Sequence, residues 1–116
     1  STSGVKGWHA ETGPIYKETN WVACAYGAYS MVAQTFGGGT LGIAVNNGTP
    51  VTVASAGNLY LTGLGNMPLR VGRNYVATFT QMDLLEVLVF DRLLNGTEQT
   101  ELFGYCKATY PAAGLP

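Results

Sequence analysis

Residues 35 to 51 read TFGGGTLGIAVNNGTPV, a run without a single charge. Three glycines, Gly37 to Gly39, precede an alternating segment, and Asn46, Asn47 and Gly48 follow it. From Thr40 to Asn46, Leu41, Ile43 and Val45 fall on one side of an extended chain and Gly42 and Ala44 on the other. The first set predicts a core face. The second, small and uncharged, predicts a face on which a second sheet or a neighbouring subunit packs closely. The glycines supply the permissive backbone of one turn and Asn-Asn-Gly the positive-φ positions of the next. The stretch therefore predicts a three-stranded meander.

Outward from it, short apolar segments rich in Val, Tyr, Phe and Thr alternate with Gly and Asn, the pattern of antiparallel β structure. Strands are predicted near 21–26, 29–36, 40–46, 50–54, 58–61, 68–71, 74–80 and 84–90. Residues 1–20 have mixed polarity and no sustained period, which predicts an arm or an abbreviated first strand. One helix is expected late, where Asn95 followed three residues on by Glu98 makes a capping box with Asn in place of Ser or Thr. Leu102, Tyr105 and Cys106 then share a helical face, and Pro111 ends the run.

A chain of 116 residues has room for one domain. Six basic and seven acidic residues leave a net charge of −1 with neither sign concentrated, so no nucleic-acid partner is expected. No apolar run approaches the roughly 20 residues of a membrane helix, and no membrane insertion is expected. Only 11% of the residues are charged, so Thr, Asn, Gln, Ser and Gly must make the wet surface, which suits an extracellular or assembly-embedded protein. The chain opens at Ser1 without Met, which predicts a processed product or the ordered part of something longer. Cys24 and Cys106 lack metal-ligand spacing and His9 is the single histidine, so no zinc site is expected. The two cysteines form either a long-loop disulfide in an exported chain or two buried free thiols.

The segment DLLEVLVFDRLLNGTEQTELFGYCKATY, residues 83–110, resembles the C-terminal signature of the concanavalin A-like lectin/glucanase superfamily, in particular its laminin-G-like jelly-roll domains. Glu86, Val87, Val89, Phe90, Asp91, Arg92, Leu94, Glu98, Leu102, Tyr105, Lys107 and Tyr110 fall in or close to the matching places. Upstream, residues 29–51 are similar to the family's strand pair around a Gly-rich turn, and LRVG at 69–72 to a later strand. The chain departs from the pattern at Thr80 and Met82, where the family has an aromatic and a glycine. The resemblance implies an all-β antiparallel sandwich over residues 21–110, closed by a short C-terminal helix, with an arm at 1–20 and a tail at 111–116. It also implies that Glu86 keeps the fold, and that Asp91 and Arg92, with Asn95 and Glu98, lock the turn and the helix.

Catalysis is not expected. Asp83 and Glu86 are three apart on a predicted strand and point to opposite faces, so they do not make the paired carboxylates of a glycosidase. The close E-x-D-x-x-E run of the family's glucanases does not occur, and no G-x-S-x-G turn accompanies His9. Glu86, sharing a strand face with Leu84, Leu88 and Phe90, is expected to be buried, accepting hydrogen bonds or pairing with Arg70 or Arg73. No cofactor is expected. Calcium would draw on Asp83 with Asn46, Asn47 and Asn66, and no DxDxDG-type loop is present. A sugar site needs an aromatic platform ringed by amides. Trp21, Tyr26, Tyr29 and Tyr60 supply aromatics, and Asn46, Asn47, Asn58 and Asn66 supply amides near predicted turns; filling a core and making turns are the structural uses of the same residues.

The sequence thus points to a non-catalytic recognition or adhesion module with a glycan or other surface ligand, part of an extracellular or virion-surface assembly. The alternative is a purely structural virion subunit, a decoration, tail or fibre protein, whose arms mediate self-association or contacts with partner chains.

Overall fold

The structure, a computed structural model, describes residues 4–11, 15–55 and 82–116. Within them lie seven short strands, β1 (Gly4–Val5), β2 (Trp8–Glu11), β3 (Ile15–Glu18), β4 (Val22–Ala23), β5 (Val32–Gly37), β6 (Thr40–Val45) and β7 (Val51–Ala54), then helix α1 (Gly96–Thr109) and a single 3-10 turn at Pro111–Ala113. The strands form small separate antiparallel sheets of two and three strands, β1 with β4, β2 with β3, and β5-β6-β7. The expected strands at 58–61, 68–71 and 74–80 lie outside the described residues.

The meander is where the sequence places it. β5 and β6 pair from Val32↔Val45 to Gly37↔Thr40, and β6 and β7 from Thr40↔Ala54 to Ile43↔Val51. The first turn consists of Gly38 and Gly39, both at positive φ (57° and 78°), the combination whose twist matches that of the flanking strands. In the second, Asn46 and Asn47 take the positive-φ positions (50° and 58°), and Gly48 follows, its N–H donating to the Val45 carbonyl at 2.9 Å. Asn is among the few L-residues that tolerate this region.

Leu41, Ile43 and Ala44 are the buried apolar residues among those described. The Gly42 face is not left open for a neighbour. Thr35 and Thr52 flank Gly42 in register, and a Cβ there would lie 2.7 Å from Thr35 Oγ1 and 3.3 Å from Thr52 Cγ2. The glycine gives room to its own sheet.

Strands β1 to β4 pair as a bulged antiparallel hairpin. Trp8↔Glu18 pairing continues to Gly7, whose carbonyl accepts the Thr19 N–H and whose N–H donates to Thr19 Oγ1, both at 2.9 Å. Two residues further the register is Val5↔Val22. Between those pairs Lys6 faces both Asn20 and Trp21, which is a β-bulge. The hairpin leans on the meander at Gly7, where a Cβ would stand 3.4 Å from the Gly42 carbonyl oxygen and 3.5 Å from Gln34 Cγ. Gln34 pairs with Ile43, so this contact lies on the core side.

The expected sandwich or jelly roll is not formed among the described residues. Such a fold needs two sheets meeting face to face, and needs residues 84–90 as a core strand. Met82–Phe90 joins no ladder among the described residues, and its large side chains are about half in solvent.

Candidate functional site

Seven large apolar residues between Met82 and Phe90, with Leu93 beyond them, are each 44% to 75% exposed. One residue anchors the segment. Glu86 is half-buried, and its carboxylate accepts the Tyr105 hydroxyl at 3.2 Å and the Tyr110 hydroxyl at 3.0 Å. Of the partners expected for Glu86, hydroxyl donors are present in these tyrosines, full burial is not, and Arg70 and Arg73 lie outside the described residues. The carboxylate pushes the Tyr110 hydroxyl up from its ordinary pKa, because the phenol donates to it. Burial, and then Glu86, raises the Cys106 thiol in the same way. Cys24 and Cys106 are half-buried and are not joined in a disulfide.

Asn95 caps α1 as its spacing predicts. Its Oδ1 accepts the Glu98 N–H at 3.0 Å, and Glu98 Oε2 accepts the Asn95 N–H at 2.9 Å. Arg92 closes on the same carboxylate from the preceding bend, which holds Glu98 at a pKa of about 2, the Arg92 hydrogen bonds being the main cause and the Asn95 N–H the next. Asp91 is exposed beside it. A shallow groove of about 290 Å³ runs between this turn and the helix, floored by Phe90, Leu94 and Leu102 and edged by Glu98 and Glu101. The turn and helix also touch the meander at its two ends. Leu93 side-chain atoms come within 3.7 Å of where a Gly37 Cβ would be, and Asn47 Nδ2 donates to Thr100 Oγ1 at 3.2 Å.

Of the residues named for a glycan site, those described fall at three separate places in the chain, Trp21, Tyr26 and the Asn46–Asn47 turn, and none of them lines the groove. Trp21 sits in the bulge and is 66% exposed; Tyr26, in the turn after β4, is 95% exposed. Asn46 is spent on the fold, its backbone N–H donating to the Met31 carbonyl and its Oδ1 accepting the Met31 N–H, both at 2.9 Å. Asn47 is held by Thr100. Asn58, Tyr60 and Asn66 lie outside the described residues. Among the described residues no group of three or more His, Cys, Asp or Glu is arranged to hold a metal ion, and no helix is long and apolar enough to cross a membrane.

Sequence reasoning missed two features. The Glu86–Tyr105–Tyr110 cluster spans up to 24 residues and leaves no local signal. The other was legible: every residue from Thr19 to Leu69 is uncharged. Compared with protein-family models, curated proteins and solved structures, the chain matches none.

Proposed function

We propose that this protein is a non-catalytic structural module that works by assembling, at a cell or virion surface, with the segment Met82–Leu93 as its contact and a second copy of the same chain as its partner. The exposed apolar run carries this reading. Eight large side chains about half in water leave roughly 800 Å² of surface, the area one partner contributes to an interface of standard size. A monomer has little reason to keep so much apolar surface together. A net charge of −1 puts little repulsion between copies, which favours self-association over capture by a strongly charged partner. The Glu86 clamp and the helix cap fix the run at its middle and its end, so it is presented in one conformation and loses little freedom on docking.

The test is mass in solution by sedimentation equilibrium, for the wild-type chain and for Leu85→Asp and Val89→Asp. Both substitutions replace exposed side chains, so the far-ultraviolet circular dichroism is expected to stay as in wild type. A wild-type oligomer that becomes a monomer in both variants supports the proposal. A wild-type monomer, or an oligomer indifferent to both charges, overturns it.

A further inference from the structure

The β7 edge of the meander is open among the described residues. β7 is the outer strand and pairs with β6 alone among them. The Ser55 N–H donates to the Gly39 carbonyl at 2.9 Å, one step past the Thr40↔Ala54 pair. Backbone groups alternate along an antiparallel ladder, so Val53 and Val51 also turn theirs toward β6, and Thr52 and Ala54 turn N–H and C=O outward. Thr52 and Ala54 are exposed. Val51 and Val53 are half-buried, opposite Ile43 and Leu41 on the core face. Pro50, two residues before Thr52, has no N–H, so the donors of this edge begin at Thr52. Open edges are commonly blunted by charge, and no charged residue lies between Thr19 and Leu69.

Residues 85–89 are the counterpart of this edge. They have the composition of a strand and join no ladder among the described residues. Glu86 binds Tyr105 and Tyr110, and Phe90 lines the groove beside α1, so two side chains of even number are committed to the helix. When such a stretch is extended as a strand, Leu85, Val87 and Val89 fall on the opposite side, and these are 46%, 45% and 75% exposed. We propose, on the strength of the association through residues 82–93 set out above, that residues 85–89 of one copy add as a strand to the β7 edge of another. Their backbone pairs with the outward groups of Thr52 and Ala54, and Leu85, Val87 and Val89 extend the half-open core face that ends at Val51 and Val53. Asp83 and Asp91, of the same parity, bound the apolar stretch at its two ends, which limits the added strand to about the length of β7.

A proline at an outward position removes a donor to the added strand and leaves the β6 ladder whole. Thr52→Pro and Ala54→Pro are therefore expected to keep the wild-type circular dichroism and to sediment as monomers at concentrations where the wild type associates. Mixing then tests the pairing of unlike surfaces. Leu85→Asp has an intact edge and a spoiled segment, and Thr52→Pro has the reverse, so the two monomers should associate one-to-one when combined. Leu85→Asp mixed with Val89→Asp should stay monomeric. Proline variants that remain oligomeric beside a monomeric Leu85→Asp would overturn this docking and leave association through residues 82–93 standing. A wild-type monomer overturns both. Loss of the wild-type circular dichroism in both proline variants, which would mean that the edge is paired within its own chain, overturns the docking, as does a mixture of Leu85→Asp and Thr52→Pro that stays monomeric.

Discussion

Arg92 holds Glu98 with both terminal guanidinium nitrogens, Nη1 to Oε2 at 2.8 Å and Nη2 to Oε1 at 2.7 Å, while the same carboxylate caps the first turn of α1. One acidic side chain thus joins the end of the exposed segment to the start of the helix. Because its folded-state pKa is lowered from 4.5 to about 2, the stability it contributes is present above the ordinary carboxylate range and is lost as the pH falls toward 2. Helical circular dichroism at 222 nm should therefore decline between about pH 4.5 and pH 2 in the wild type. Glu98→Gln should start from a less stable helix and lose this acid transition. An unchanged acid profile in the variant would mean that the lock does not govern the helix.

Asn95 supplies the other half of the box and is not ionisable, so its effect has no pH dependence. Asn95→Ala should destabilise the fold by about 1 kcal/mol, the usual cost of removing an Asn cap, and Asn95→Asp should retain most of the stability. Urea unfolding of the three proteins makes the comparison. Equal midpoints for wild type and Asn95→Ala would exclude a stabilising cap.

The difference between what was legible in the sequence and what was not follows from range. The helix start is written in four residues, Asn95 to Glu98, and the meander in two turns of two positive-φ residues each; both are local devices, and both are in the structure. The segment Asp83–Phe90 has the composition of a core strand, but a strand exists only through partners, and partner choice is non-local. Composition gave Leu84, Leu88 and Phe90 a buried face that the structure leaves half in water. Glu86 was readable as a carboxylate in need of donors, whereas Tyr105 and Tyr110 as its donors required the helix to be placed first. The bulge at Asn20 and Trp21 was invisible for the same reason, since a shift of one residue in register has no signature in either strand alone.

Two glycines should respond in opposite ways to the same substitution. Gly42→Ala forces a Cβ to within 2.7 Å of Thr35 Oγ1 inside the meander, an overpacking that should cost about 1–3 kcal/mol. At Gly104, in the middle of α1, nothing lies within 4 Å of the added atom, and Gly104→Ala should stabilise by about 0.8–1 kcal/mol through helix propensity. Denaturant midpoints moving in the same direction for both would contradict the packing described.

The Glu86 cluster makes a prediction about reactivity. A thiol is nucleophilic as its thiolate, and both burial and the Glu86 charge disfavour that form at Cys106. Cys106 should therefore be alkylated slowly by iodoacetamide at neutral pH, with the rate still rising beyond the usual thiol range. Glu86→Gln removes the charge but keeps an acceptor for the tyrosine hydroxyls, so it should speed alkylation of Cys106 and shift its pH profile downward. The same variant should lower the titration of Tyr110, whose folded-state pKa is raised chiefly by its hydrogen bond to Glu86. Because that pKa is raised, the Tyr110–Glu86 bond stabilises the fold below the ordinary tyrosine range and is lost as pH rises through the folded-state value. Peptide-level mass spectrometry follows the thiol, and absorbance at 295 nm against Tyr110→Phe follows the phenol. If Glu86→Gln leaves both profiles where they were, the carboxylate does not control the cluster, and the clamp between the exposed segment and α1 is lost with it.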